Sequence, residues 1–139
     1  MKANQSFPKQ VRLLSRGDFR RVYERGCWLG DDLLRLAGAL SDLPHPRLGL
    51  AVSRHVGNAV LRNRWKRLIR EAFRLARPEL PPGLDFIVVP RQSVPPQLQP
   101  LAKSLVNLSW RLVKRLKREQ AQSRRNKIQD RQNKTDSDS

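Results

Sequence analysis

The chain has 139 residues, of which 29 are Lys or Arg and 12 are Asp or Glu, a net charge of +17. Such a balance calls for a polyanionic partner, nucleic acid before an anionic membrane surface, and the length suits one domain with a modest core rather than a large enzyme. The single cysteine, Cys27, excludes an internal disulfide and a cysteine-based zinc site. No apolar run of signal-peptide or membrane-spanning length is present, so a reduced, cytoplasmic protein is expected.

Residues 1–14 read as irregular. Ser15 to Arg25 reads as a short helix, with Ser15 and Asp18 spaced as a capping box and Gly26 as its stop. Phe19, Val22 and Tyr23 share one face of it. Residues 33–40 (LLRLAGAL) read as a strand, and the loop DLPHP follows. Residues 47–53 (RLGLAVS) alternate: Leu48, Leu50 and Val52 face one way, Gly49, Ala51 and Ser53 the other. Asn58 is placed to cap a long helix that Pro78 stops by about Arg77. Residues 84–89 (LDFIVV) are apolar on both faces, as in an interior strand. A last helix carries Leu101, Leu105, Leu108, Leu112 and Leu116 as a stripe. Beyond about Gln120 the chain is polar and reads as disordered. The expected organisation is one α+β domain over residues 1–118, a sandwich of helices on a mixed sheet, and a tail over 119–139.

The central helix carries the strongest signal. Leu61, Trp65, Leu68, Ala72 and Leu75 form its apolar stripe. Around them stand Arg62, Arg64, Lys66, Arg67, Arg70 and Arg74 against one acid, Glu71, which is placed to pair with Arg67 or Arg74. Arg62, Lys66, Arg70 and Arg74 follow one another at i, i+4, where like charges repel. An anion that offsets the row is implied, and guanidinium groups pair bidentately with phosphate.

Catalytic groups do not assemble. His45 and His55 lie in different loops. Asp31 and Asp32 are adjacent, so on a strand they would face opposite ways and make a poor metal pair. Cys27 reads as a small apolar residue without a catalytic partner, and no glycine-rich phosphate loop occurs. The polypeptide is therefore expected to do no covalent chemistry by itself. Phe19 and Tyr23, one turn apart beside Arg20 and Arg21, read either as core or as a platform on which single-stranded bases stack. The small strand face of Gly49, Ala51 and Ser53 reads either as a close helix contact or as a shallow floor for a nucleic-acid strand.

The segment SRHVGNAVLRNRWKRLIREAFR, from Ser53, resembles the signature of the bacterial ribonuclease P protein component. Its heart is Arg62-Asn63-Arg64 followed by KRLIRE, Lys66 to Glu71. The early DFRRVY, the strand RLGLAVS and the late DFIVVPR are also similar, and the resemblance spans about residues 10 to 118. It implies an αβββαβα topology, a two-layer sandwich with a four-stranded mixed sheet and a left-handed βαβ crossover, against the usual hand. It adds a short first strand near Cys27 to Gly30. It implies assembly with a catalytic RNA that, with Mg²⁺ held mainly by that RNA, removes the 5′ leader of precursor tRNA. Neither a membrane nor a small-molecule substrate is implied. By the resemblance Arg54, Asn58, Arg62, Asn63, Arg64, Lys66, Arg67 and Arg70 face the catalytic RNA. Arg12, Phe19 and Tyr23 belong to a leader cleft. Leu34, Leu36 and Ala37 stand where the family often offers the cleft an aromatic. The alternative for such a charge pattern is a ribosomal or other structural RNA-binding protein, which has no use for the cleft.

Overall fold

A computed structural model describes residues 8–13 and 15–137; the start of the irregular N-terminal stretch, residues 1–7, lies outside the described residues. The elements in chain order are α1 (Arg16–Arg25), β1 (Cys27–Gly30), β2 (Leu34–Leu40), β3 (Arg47–Leu50), α2 (Ala59–Ala76), β4 (Leu84–Pro90) and α3 (Leu98–Ser137). The four strands form one sheet in the order β1-β2-β4-β3. β2 pairs antiparallel with β1 and β4, and β3 runs parallel to β4, joined to it through α2. This is the αβββαβα order.

Alternation along the strands divides the core between the two sheet faces. Leu34 and Leu36 of β2, Leu48 of β3, and Leu84, Phe86 and Val88 of β4 are buried beneath α2 and α3. Ala37 and Ile87 point the other way and are buried with Leu13 and Val22, under α1. So α1 covers one face and the two longer helices cover the other.

Local chemistry explains most boundaries. The Ser15 hydroxyl accepts the Asp18 amide at 3.3 Å, and the Asn58 side chain accepts the Leu61 amide at 3.0 Å, each satisfying an orphan N–H of a first turn. Strand β3 stops at Leu50, three residues before the expected end. The Ala51 amide still reaches the Val88 carbonyl at 3.0 Å. Ser53 then caps the 3-10 turn Arg54–Val56, and the chain leaves the sheet.

Two expectations are corrected. The buried face of α2 is Trp65, Ile69, Ala72, Phe73 and Ala76. Leu61 and Leu68 lie at its margin, and Leu75 is 43% exposed. The stripe read from sequence had the right period but was centred about 60° around the helix from the buried face, which Ile69 and Phe73 fill. The tail is the second. Helix α3 runs 40 residues, to Ser137. After Pro100, in its first turn, the helix has no Gly or Pro to break it and is built mostly of fair helix formers. Its lack of apolar residues shows instead in packing: from Lys117 to Asn133 every residue is exposed.

Candidate RNA interface

Helix α1 is ten residues long and buries only Val22. Such a helix is marginal alone, so its position depends on what ties it to the sheet. The tie is Asp85 of β4, whose carboxylate is fully buried. It accepts Arg47 Nε at 2.8 Å and Arg47 Nη2 at 2.6 Å from β3, and Arg21 Nη2 at 2.6 Å from α1. Asp18 of α1 stands 3.5 Å from Arg47 and 3.8 Å from Arg21. The Asp85 carboxylate raises the Arg47 pKa above its ordinary value, against the opposing effect of burial. A buried carboxylate held by two guanidinium groups satisfies the rule that buried charge must be paired. Their pairing could not be read from the sequence, since the partners of Asp85 lie 38 and 64 positions away.

Helix α1 and strand β1 together carry an aromatic row. The rings of Phe19 and Tyr23 stack at 6.1 Å with an interplanar angle of 11°. Trp28 of β1 meets Tyr23 edge-on at 5.2 Å, and its indole N–H donates to the Tyr23 carbonyl at 3.3 Å. The Arg35 guanidinium lies 4.7 Å over the Trp28 ring. Tyr23 is 46% exposed, and Phe19 and Trp28 are half-buried. Phe19 packs against the sheet beside Gly49, while Tyr23 leaves ring surface exposed. Trp28 pairs with Ala37 across β1 and β2, on the same sheet face. Trp28 thus sets an aromatic ring beside Ala37 of β2, while Leu34 and Leu36 point into the opposite core. The signal that could have found it was the register of the short strand β1.

The small face of β3 is also explained. A methyl group added at Gly49 would stand 3.3 Å from the Phe19 ring and 3.2 Å from Ile87. Gly49 thus lets α1 approach closely, and Ala51 packs in the same cluster. Arg12 bridges to Leu48 at the edge of β3, and the Leu13 amide donates to the Leu48 carbonyl at 3.0 Å. This sets Arg12, part-exposed, along the strand that carries Gly49.

On the opposite side of the sheet, α2 presents its cations. Arg64, Arg67, Arg70 and Arg74 are exposed with Asn63, while Arg62 and Lys66 are part-buried. Upstream, Arg54 and His55 are exposed in their 3-10 turn. Gly57 follows at φ 150°, a conformation that favours glycine, with Leu61 folded against it. The carboxamide oxygen of Asn58 is committed to the cap, leaving its NH₂ to donate outward. Among the described residues none of the six α2 cations takes part in an ion pair, and Glu71 pairs with neither Arg67 nor Arg74, contrary to expectation. The Arg62 Nε is buried without a hydrogen-bond partner among the described residues. A cationic helix that leaves its own acid unused is prepared for external anions.

Catalytic alternatives stay dispersed. Asp31 spends one oxygen on the Leu33 and Leu34 amides and the other on the Ser104 hydroxyl at 2.7 Å. Burial would raise its pKa, but these bonds and Arg91 outweigh burial and hold it below the usual carboxylate range. Burial and the neighbouring Glu119 carboxylate push the Cys27 thiol up to about 11, the opposite of an activated nucleophile. His45 lines an open groove with Arg74 and Arg77, away from His55. Among the described residues no three His, Cys, Asp or Glu gather to hold a metal. None of the described helices is long and apolar enough to cross a membrane.

The sheet, its two helix layers and the unpaired cations define a small basic α+β protein of the nucleic-acid-binding class. The family model for Ribonuclease P matches residues 7–112. The ribonuclease P protein component of Klebsiella pneumoniae is 43% identical over 90 residues, 64% of this chain and 75% of the relative. That of Escherichia coli is 42% identical over the same shares. The ribonuclease P protein of Thermotoga maritima superposes with a TM-score of 0.64 at 30% identity, over 72% of this chain and 96% of that one. That of Staphylococcus aureus gives 0.61 at 31% identity, over 75% and 95%. The chain belongs to the ribonuclease P protein family, whose members are the protein component of a tRNA-processing endonuclease partnered with the ribonuclease P RNA.

Proposed function

We propose that this chain assembles with the catalytic RNA through α2 and holds the 5′ leader of precursor tRNA in the cleft beside α1. The observation that carries the reading is the separation of two surfaces on opposite faces of one sheet. One is a row of unpaired cations suited to phosphates. The other is an aromatic row suited to splayed bases. Arg54, Asn58, Arg62, Asn63, Arg64, Lys66, Arg67 and Arg70 serve the first surface. Arg12, Phe19 and Tyr23 serve the second, joined by Trp28. In this reading the RNA, with its own Mg²⁺, carries out phosphodiester hydrolysis, and the protein orients the substrate and supports the active RNA. Work on precursor tRNA places the protein in the cytoplasm.

The test is reconstitution. The purified chain, added to bare ribonuclease P RNA at low Mg²⁺, should restore release of the 5′ leader, while RNA-free protein with precursor tRNA should release none. Failure to restore cleavage, or specific cleavage that survives destruction of contaminating RNA, would refute the assignment.

A further inference from the structure

The second half of α3 lies beyond the matched family region, which ends at residue 112. Its first half is anchored: Leu101, Leu105, Leu108 and Leu112 are buried against the sheet and α2. The helix crosses the edge of β1, where Arg115 Nη1 donates to the Trp28 carbonyl at 3.4 Å and the Cys27 thiol to Glu119 at 3.0 Å. Beyond that point it leaves the domain, fully exposed to Asn133. Between residues 117 and 133 it carries six cations and two acids. Lys117, Arg124, Lys127 and Arg131 recur at spacings of seven, three and four, so they form one row about 21 Å long with no acid between them along it. Lys117, Arg118, Arg124, Arg125 and Lys127 enter no ion pair among the described residues.

A helix polar all round, with no core to cover, is held only by local pairs or by a partner. Such pairs include Arg115 with Glu119 at 3.4 Å and Gln122 with Asn126 at 3.2 Å, yet five of the six cations between 117 and 133 enter no ion pair among the described residues. The chemistry selects the partner. A second copy would need an apolar seam, and a membrane surface would need an apolar face. This stretch offers only Ile128 and Ala121. Phosphate is left. A straight row at fixed spacing complements a fixed row of phosphates, as on a folded RNA, better than it does a flexible single strand.

We infer that residues 117–131 of α3 form a cationic arm that binds the phosphate backbone of the ribonuclease P RNA, beyond the surface of α2. The inference rests on the proposed assembly with that RNA. The test uses the full-length chain with Lys117, Arg124, Lys127 and Arg131 all changed to Gln, a residue of similar helix propensity. The probe is the Escherichia coli ribonuclease P RNA, titrated across a range of salt. Four lost phosphate contacts should flatten the slope of log K against log salt by about three units, and weaken binding at least about tenfold near physiological salt. A second variant that exchanges Lys for Arg and Arg for Lys at the four positions keeps the charge and should keep the slope. Unchanged slope and affinity in the Gln variant would overturn the arm while leaving the α2 assembly intact, as would a loss confined to precursor tRNA with a long leader. Equal loss in both variants would also overturn it, since that marks a melted helix. If the unaltered chain does not prefer this RNA to bulk tRNA, both the arm and the assembly fall.

Discussion

Replacing Asp85 with Asn should loosen α1 from the sheet, and the structure sets the size of the effect. The carboxylate is fully buried and receives three guanidinium hydrogen bonds of 2.6 to 2.8 Å. Stripping one partner from a buried pair costs about 3–5 kcal/mol, because the remaining charge is left unpaired. Two features place this case near the lower bound. Arg21 has 37% of its side chain exposed and can turn to water, so its share is that of a surface pair, under about 1 kcal/mol. Arg47, only 19% exposed, keeps Asp18 at 3.5 Å. The expected loss is therefore about 3 kcal/mol, out of about 5–15 for a domain of this kind. Urea denaturation of D85N against the unaltered chain measures it directly. The companion change Asp18→Asn, at a carboxylate 36% exposed, should cost less than about 1 kcal/mol. A D85N loss below about 1 kcal/mol, or one equal to that of D18N, would show that the clamp does not hold α1 and that the apolar contact of Phe19 and Val22 suffices.

Other expectations follow from the same contacts. Arg62→Ala and Arg64→Ala should each weaken binding of ribonuclease P RNA and flatten its salt slope by about one unit, with little change in thermal midpoint; equal slopes in mutant and parent would count against α2 as the contact. Tyr23→Ala should weaken precursor tRNA binding by about 1–3 kcal/mol and leave mature tRNA binding nearly unchanged, since only the leader distinguishes the two. Because Tyr23 is 46% exposed, this change should leave the fold intact, and equal weakening of both tRNA forms would reduce Tyr23 to packing. Trp28→Ala should act in the same direction, read by the same ratio of affinities. The lowered pKa of Asp31 means that the folded state favours its ionised form, so its contribution is present above the ordinary carboxylate pKa and is lost as pH falls through the folded value. Asp31→Asn should accordingly flatten the fall in thermal midpoint in the acid range, and an unaltered acid limb would exclude Asp31 as a contributor.

What could be read from the sequence was what is local. The caps at Ser15 and Asn58, the stop near Pro78 and the period of each helix depend on residues within a few positions, and they fall where expected. The short strand β1 has no such signal: Cys27 to Gly30 offers four residues without clean alternation, and only family resemblance placed it. Trp28 was missed with it, because its role depends on register with Ala37 and proximity to Tyr23. Asp85 was read as part of an apolar interior strand. Its partners come from two other elements, and no spacing within LDFIVV could reveal them.

Helix α2 shows why its basic signature can persist in a folded protein without strain on the fold. The face that holds it is Trp65, Ile69, Ala72, Phe73 and Ala76, with the Trp65 indole N–H satisfied by the Ser93 carbonyl at 3.2 Å. Burying such side chains is worth about 1.5–3 kcal/mol each for the large ones. Repulsion between like charges at i, i+4 costs only about 0.2–0.5 kcal/mol per pair. Arg62, Lys66, Arg70 and Arg74 make three such pairs, so their mutual repulsion is smaller than the gain from a single buried aromatic. The cations thus stand apart from the face that folds the helix onto the sheet. Removing a cation should relieve repulsion rather than damage the core, and a loss of RNA affinity in those variants can be read as a lost contact.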